Sequence, residues 1–360
     1  MKTTFILAEN LLRLIKRGFE ELIDHLNSNV DISLLDALMK IINHAVQRKR
    51  LLKLAMDALP RYDLQVDSIK FVGDSVNTVF EVNAGGARYA LRIHPPKTYA
   101  TEKIKAELLW LSALRADMSL MVPDPVPAND GTLVQKVSFP KKSGTRQVVM
   151  FGWLEGEFLG ENLTPATMEL AGSFMANLHN HTRKFRLPGQ CSRRHFSWGE
   201  LRRWQDVDTP GPEALTPDDF TLCMAAAKAV SEKIDDFIVE TDYGLVHLDL
   251  TPWNYLLHRG EIGAIDFDDC QFAPFLYDMA VPLSYIDEHQ DYQSLKDGFL
   301  RGYAHKRQLP QHHGAGLELF IVVRALYMIN WILGWPSPSH QTFGPNLLAK
   351  ALNQLSRYNI

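Results

Sequence analysis

One stretch of the chain, LVHLDLTPWNYLLHRGEIGAIDFDD, limits the fold more than any other part of the sequence. It begins with an apolar run, passes through a polar loop that contains Asp249, and continues as two short predicted strands, 255–257 and 262–265, joined by a turn. This strand-turn-strand order brings Asp249, Asn254 and Asp266 to one place. The sequence therefore predicts a cluster of three oxygen-bearing side chains that only a folded chain can assemble.

These three side chains have the chemistry of a magnesium site beside a base. Mg²⁺ prefers oxygen ligands in near-octahedral geometry and commonly takes only one or two carboxylates, which leaves its other positions to water and nucleotide phosphates. Asn254 and Asp266 suit that role. Phosphoryl transfer also needs a carboxylate at the attacking hydroxyl and little covalent chemistry from the protein. Asp249 suits this second role.

The pattern HxDxxxxN followed by IDF, from His247 to Phe267, resembles the signature of the aminoglycoside phosphotransferase and choline kinase-like superfamily. The resemblance implies an α+β, bilobal protein kinase-like fold, with a small antiparallel-sheet N-lobe and a larger helical C-lobe. It also implies ATP and Mg²⁺, with Asp249 as the catalytic base and Asn254 and Asp266 as metal ligands. His247 is then a structural support. One departure is Leu248, which stands where glycine is common in that superfamily.

Two other positions resemble structural positions of the same superfamily. Asp278, in FLYDMAVPL, resembles the start of the "DLA" helix, where the carboxylate braces the catalytic loop rather than reacting. His179, in LHNH, resembles the "LH" helix end. The resemblance therefore implies supporting roles for both.

The small lobe is expected to supply the rest of the nucleotide site. The segment GDSVNTVFEV stands where the superfamily has its nucleotide-covering hairpin, which makes Gly73, Ser75 and Asn77 candidates for phosphate contacts. The segment VVMFGWLEG resembles the hinge between the lobes. Backbone groups from Phe151 to Trp153 are therefore expected to bind adenine beside an apolar wall.

Arg92, in YALRIH, stands where kinases usually place a phosphate-binding lysine. Its guanidinium can bind two phosphate oxygens at once. Glu107, in the helical stretch AELLWLSAL, is predicted to hold Arg92 in position, and Glu102 is the competing candidate. The alternative for Arg92 is an exposed strand arginine in a surface ion pair.

Apolar spacing and glycine turns divide the chain into three predicted parts. Residues 1–50 form an N-terminal helical extension. Helical periodicity is found at 5–26 and again from 32 to about 59, where Pro60 ends it. Residues 51–154 form a nucleotide-binding N-lobe of short strands joined by turns. Residues 155–360 form a helical, catalytic and acceptor-binding C-lobe.

Charge and cysteine content exclude some kinds of partner. The formal net charge of −4 gives no chain-wide cationic field, so nucleic acid is not an expected partner. The three cysteines, Cys191, Cys223 and Cys270, have neither zinc-site nor disulfide spacing. Charges such as Glu9 and Arg13 interrupt the first apolar run before a membrane span could form. We expect a cytoplasmic protein without a membrane partner.

The expected reaction moves the γ-phosphate of MgATP to a hydroxyl group of a small molecule. Aminoglycoside-like, homoserine-like and choline-like acceptors all fit, and the choice between ATP and GTP stays open. The alternatives are a serine/threonine protein kinase of the same fold and a nucleotide-binding pseudokinase that regulates a partner. The intact set of Asp249, Asn254 and Asp266 argues against a pseudokinase. The N-terminal helices are a candidate homodimer surface.

Residues of the second half that suit an acceptor also have structural interpretations. Five aromatic side chains suit a pocket for a cation, although core packing is commoner: Tyr285, Tyr303, Tyr327, Trp331 and Trp335. Three acidic side chains suit either an aminocyclitol or a solvated helix end: Asp287, Glu288 and Asp291. Asp268 is a better second metal candidate than Asp269, because neighbouring side chains of an extended segment point opposite ways.

Overall fold

The computed structural model describes residues 32–74, 76–95, 100–138, 144–189, 191–199, 215–239, 242–334 and 338–358. The chain divides into two compact units, Met1–Leu52 and Lys53–Ile360. Helix α1 spans Ile32–Ala58, and a 3-10 turn that contains Pro60 follows it. The predicted helix at 5–26 lies outside the described residues. The three-part division of the chain and the homodimer surface stay predictions.

The small lobe is built on an antiparallel sheet. Its strands are β1 (Val66–Asp74), β2 (Thr78–Ala84), β3 (Ala87–Ile93), β4 (Asp124–Val126), β5 (Gln135–Ser138) and β6 (Thr145–Gly152). Their order is β1-β2-β3-β6-β4, and β5 also pairs with β6. Gly85 and Gly86 join β2 to β3 with φ angles of 56° and 80°. Glycine adopts such angles without strain, which explains the tight hairpin that the sequence predicts there.

Helix α2 (Thr101–Met118) connects the small sheet to the rest of the protein. It buries Ile104, Leu108 and Leu111. Its Trp110 packs edge-on against Phe267, with ring centroids 5.5 Å apart. Because Phe267 directly follows Asp266, this contact fixes α2 against the segment that carries the predicted metal ligand.

The large lobe is mainly helical. Its helices are α3 (Pro165–Thr182), α4 (Pro217–Lys233), α5 (Phe275–Ile286), α6 (Tyr292–Lys306), α7 (His313–Gly334) and α8 (Pro338–Arg357). Its short strands are β7 (Glu157–Phe158), β8 (Tyr243–Val246), β9 (Tyr255–His258), β10 (Glu261–Ala264) and β11 (Gln271–Pro274). Strands β10, β9 and β7 form one antiparallel sheet, and β11 pairs with β8. The predicted strand-turn-strand order after Asp249 is therefore confirmed.

Helices α3 and α6 pack closely because glycine lies at their contact. A Cβ atom on Gly172 would come within 1.9 Å of the Phe299 carbonyl oxygen, and one on Gly302 within 1.9 Å of the Glu169 carbonyl oxygen. Any larger residue at either position would push the helices apart. The two glycines therefore fix the short distance between these helices.

Among the described helices, α7 alone is long and apolar enough to cross a membrane, with a mean hydropathy of 1.6 over its most apolar window. However, 72% of that window is buried inside the protein. Its buried side chains include Phe320, Val323 and Leu326. We therefore assign α7 to the core of the large lobe, and the cytoplasmic location stays a prediction.

Candidate active site

A cavity of about 710 Å³ lies between the small sheet and the helical lobe. It is lined by all the predicted site residues that the structure describes: Asn77, Arg92, Glu107, Phe151, Trp153, Asp249, Asn254 and Asp266. Gly73 also lines it, whereas Ser75 lies outside the described residues. Side chains that are up to about 190 residues apart in the chain thus meet at one place.

The loop between β8 and β9 carries Asp249, and His247 fixes it. The His247 ring is fully buried. Its Nε2 donates to the Ile265 carbonyl oxygen at 3.0 Å, and its Nδ1 accepts from the Asp249 amide at 3.3 Å. The ring therefore joins the loop to the end of β10, which confirms the predicted support by His247.

Asp278 braces the same loop from α5. One carboxylate oxygen accepts the Leu248 amide at 2.6 Å, and the other accepts from His179 Nε2 at 3.1 Å. Leu248 has a φ of 70°, a left-handed conformation that costs a non-glycine residue about 1–2 kcal/mol. Burial lowers the pKa of His179, although Asp278 opposes this shift, and a neutral ring suits a donor at Nε2. The bracing role predicted for Asp278 is confirmed.

The loop between β8 and β9, here called the catalytic loop, also orients Asn254. Its Nδ2 donates to the Asp249 carbonyl oxygen at 2.7 Å and lies 3.3 Å from Asp249 Oδ2. Ile265 in turn donates its amide to the Asn254 carbonyl oxygen. This orientation leaves the side-chain oxygen of Asn254 available as a ligand, which is the atom that a hard cation needs.

Asp266 lies at the mouth of the cavity with a φ of 65°. Its Oδ1 is 3.9 Å from Arg92 Nη1. Half of its side chain is accessible, yet it is confined in the cavity with other carboxylates. Loss of hydration in this confined site, followed by repulsion from Asp268, raises the pKa of Asp266 to about 8. A carboxylate under such repulsion favours a bound cation.

The residues after Asp266 differ from the sequence prediction. Phe267–Asp269 is a 3-10 turn rather than an extended segment, so the argument that Asp268 and Asp269 point opposite ways was wrong. Both line the cavity. Asp268 is buried and accepts from Asn77 Nδ2 at 2.7 Å, whereas Asp269 is exposed in the cavity. Burial acts to raise the pKa of Asp268, but Arg92 and other neighbours lower it overall.

Arg92 and Glu107 form a buried ion pair, with Arg92 Nη2 2.6 Å from Glu107 Oε2. The side chains are 7% and 1% exposed, so the surface alternative for Arg92 is excluded. Glu102 is exposed on α2 and does not line the cavity. Burial disfavours the charge on Arg92, but Glu107 and Asp268 overcome it and raise its pKa above the ordinary value.

We expect Glu107→Gln to lower the free energy of unfolding by about 3 kcal/mol, because it leaves the buried Arg92 charge without its carboxylate partner. Glu102→Gln makes the same chemical change on the exposed side of α2 and should change stability by less than about 0.5 kcal/mol. Urea unfolding followed by tryptophan fluorescence measures both. Equal stabilities for the two variants would contradict the role of the pair.

Part of the backbone of the predicted hinge is already hydrogen-bonded within the protein. Phe151 and Gly152 pair with β3 on one side and β4 on the other. The Trp153 amide donates to the Arg88 carbonyl oxygen at 3.0 Å, so this donor is already occupied. The adenine contacts at Phe151 and Trp153 stay predictions. Apolar side chains such as Val79 and Leu256 provide the expected wall.

Sequence reasoning missed two arginines of the site. Arg324 Nη2, from α7, lies 2.5 Å from Asp249 Oδ1. Arg193 Nη1 donates to the Asp268 carbonyl oxygen at 2.5 Å, and its Nη2 lies 3.7 Å from Glu107 Oε2. Arg324 had a usable signal, because it is a basic residue inside the apolar run LFIVVRALYM. Arg193 had no such signal in the sequence, because the neighbouring Arg194 is an equally good candidate.

The structure separates the aromatic and acidic candidates for the acceptor. Tyr285, Tyr327 and Trp331 line the cavity, so core packing was the wrong expectation for them. Tyr303 is buried and bonds to His179, while Trp335 lies outside the described residues. The acidic set does not line the cavity. In that set, Asp287 is buried and lies 3.6 Å from Lys350 and 3.3 Å from Arg357, both on α8.

Known proteins resemble this chain in sequence and in structure. The sequence model of one family, described as the phosphotransferase enzyme family, matches residues 68–315. Amicoumacin kinase of Bacillus subtilis (strain 168) is 24% identical over 265 residues, which cover 70% of this chain and 76% of the relative.

Two solved structures extend the likeness. The microcompartment-associated aminopropanol kinase is 28% identical, with a TM-score of 0.73 over 85% of this chain and 97% of that one. A complex of an amicoumacin kinase with AMP-PNP, Ca²⁺ and Ami is 21% identical, with a TM-score of 0.70 over 86% of this chain and 96% of that one. The predicted α+β, bilobal kinase-like fold is confirmed.

Proposed function

Because the chain belongs to the phosphotransferase enzyme family, and is thus a kinase-type transferase for small molecules, we propose that it moves the γ-phosphate of ATP to a hydroxyl of a small amino alcohol. The observation that carries this proposal is the convergence of Asp249, Asn254 and Asp266 with Arg92 in one cavity. The similarity to two small-molecule kinases supports the same reaction class.

The part of the cavity lined by Arg92, Asn254 and Asp266, here called the donor side, fits a nucleotide with a divalent cation. No group of three or more His, Cys, Asp or Glu side chains forms a metal cage in the described ranges. A site of one amide oxygen and one carboxylate, Asn254 and Asp266, instead suits Mg²⁺ that is held jointly with phosphates. When bound, such an ion neutralises the charge on the phosphate oxygens. AMP-PNP and Ca²⁺ in the similar amicoumacin kinase structure support this assignment.

The residues of the chain divide the chemistry of transfer between them. Arg92 binds phosphate oxygens, and Glu107 holds its guanidinium in place. The acceptor oxygen bonds to the γ-phosphorus while the bond from that phosphorus to the β-γ bridging oxygen breaks, and ADP leaves with that electron pair. The acceptor's hydroxyl proton passes to Asp249, whose side chain is 29% exposed and faces this cavity.

The part of the cavity lined by Tyr285, Tyr327 and Trp331, here called the acceptor side, favours a small molecule with one amine and an apolar part. Tyr285, Tyr327 and Trp331 give it aromatic walls, which suit a cation or an apolar group. Asp269 is a carboxylate exposed in the same cavity and suits a single ammonium group. An aminocyclitol with several amines would need more carboxylates, and the acidic set at Asp287 is used elsewhere.

The other candidate functions have less support. A protein kinase needs an open groove for a peptide, but side chains of α5, α7 and α8 line this cavity, among them Tyr285, Trp331 and Leu347. A pseudokinase would not need a base, a metal pair and a phosphate-binding arginine in one place. We therefore retain the small-molecule reaction.

An ATP-consumption assay across acceptor classes tests the proposal. With MgATP we expect turnover with short amino alcohols, weaker turnover with choline and homoserine, and least with aminoglycosides and a serine peptide. Chelation of the divalent ion with EDTA should stop the reaction. A tenfold or larger preference for an aminoglycoside would contradict the acceptor class, and peptide phosphorylation would favour the protein kinase. Phosphate transfer to no acceptor would contradict the proposed function itself.

A further inference from the structure

Helix α7 carries a buried charge that the reaction described above does not use. Arg324 is 3% exposed, and its neighbours Val323 and Ala325 are fully buried. A buried guanidinium is stable only where other groups compensate its lost hydration. The partners of Arg324 should therefore indicate why the helix carries it.

Two polar contacts of Arg324 reach the loop between β8 and β9. Its Nη2 donates to Asp249 Oδ1 at 2.5 Å, and its Nη1 lies 3.4 Å from the Leu248 carbonyl oxygen. The guanidinium carbon also lies 5.1 Å from the ring centre of Tyr327 and 5.9 Å from that of Tyr285. Aromatic faces at such distances stabilise a cation and limit its movement.

We propose that Arg324 is a positioning residue for Asp249, an inference that rests on the proposed function. Arg324 holds Oδ1, and Asn254 Nδ2 lies 3.3 Å from Oδ2, so the carboxylate is restrained at both oxygens. Oδ2, with the weaker contact, keeps lone pairs for the acceptor's hydroxyl proton. A base held in this way needs no reorientation before transfer.

The position of Arg324 on α7 also relates it to the acceptor. Tyr327, Met328 and Trp331 follow it on α7 and line the acceptor side of the cavity. One rigid helix therefore sets both the wall against which an acceptor packs and the orientation of the base. A shift of about 1 Å between acceptor and base is enough to lower the rate about a hundredfold.

A double-mutant cycle tests the positioning role. We expect Arg324→Met, a change that suits an apolar helix, to lower kcat about a hundredfold and to leave the KM for ATP within about twofold. In an Asp249→Asn background the same substitution should change the residual rate by less than about threefold, because Arg324 would act through the carboxylate that is missing. Guanidinium ions added to Arg324→Ala should restore part of kcat.

Arg307→Met is the matched control. Arg307 also pairs with a carboxylate, Asp242, at 2.8 Å and lies 4.8 Å from the ring centre of Phe275, but it does not line the cavity. It should leave kcat within about threefold. If Arg324→Met fails to fold by circular dichroism, the cycle uses Arg324→Lys, which keeps the charge but loses the planar fork.

Equal losses of kcat in the two backgrounds would overturn the positioning role. So would a change confined to the KM for ATP, since Arg324 would then act on the nucleotide. Turnover by the unaltered protein in the same assay tests the proposed function separately. An active protein whose Arg324 variants keep kcat thus contradicts this inference alone.

Discussion

The Asp249→Asn protein should bind MgATP as the unaltered chain does and transfer phosphate about a thousandfold more slowly. The amide keeps the shape of the side chain and can still contact Arg324 through its oxygen, so the cavity should keep its form. It cannot accept the acceptor's proton at neutral pH. The loss should therefore appear in kcat, measured by ADP release, and not in nucleotide affinity, measured by fluorescence titration.

Asp242→Asn provides the control for this result. Asp242 is also paired with an arginine of the large lobe, Arg307, but it lies outside the cavity. It should keep kcat within about threefold. Wild-type turnover in Asp249→Asn would remove Asp249 as the base, whereas loss of nucleotide binding would show that Asp249 acts on the donor side.

The Asp266→Asn protein should lose transfer about a thousandfold and should respond to divalent ions only at much higher concentrations. The substitution keeps a side-chain oxygen but removes the charge that a cation needs. Because Asp249 and Arg92 are unchanged, the effect should appear as a large increase in the Mg²⁺ concentration for half-maximal rate. Asp235→Asn, an exposed change outside the cavity, should leave the Mg²⁺ dependence unaltered.

The pH dependence of stability gives a second measurement on Asp266. Its pKa is raised from 3.8 to about 8, so its contribution to the stability of the metal-free protein is present below pH 4 and is lost as the pH rises toward 8. Mg²⁺ competes with the proton, and the increase in Tm with Mg²⁺ should therefore grow between pH 5.5 and 8. In Asp266→Asn this growth should disappear. The same growth in both proteins would place the ion elsewhere.

The catalytic loop could be predicted from the sequence because its geometry is local. Asp249 and Asn254 lie in the loop before β9, Asp266 lies just after its neighbour β10, and the Ile265 amide bonds directly to the Asn254 carbonyl oxygen. The apolar periodicity, the turn residues and the spacing of the motif are enough to predict that such groups lie close together. The Arg92 and Glu107 pair was instead implied by the resemblance of YALRIH and the helix after it to the corresponding kinase positions.

The remaining part of the site depends on packing that spacing does not encode. Arg324 is 75 residues from Asp249, and only the arrangement of α7 beside the loop brings them together. Tyr327 and Trp331 have the apolar pattern of a core helix, so a pocket wall and a core cannot be distinguished by pattern. The 3-10 turn at Phe267–Asp269 was missed because short apolar and acidic runs fit several backbone conformations.

Leu248 affects the temperature at which the active-site loop should lose its structure. Its backbone is in the left-handed region, and its side chain is only 5% exposed within the hydrophobic core of the large lobe. A glycine there would let the loop open by itself, whereas the leucine must leave the core for the loop to open. Local opening should thus cost about 1.5–3 kcal/mol of lost side-chain burial. The loop should therefore open at a higher temperature than it would without this buried side chain, which brings thermal inactivation closer to the loss of tertiary structure.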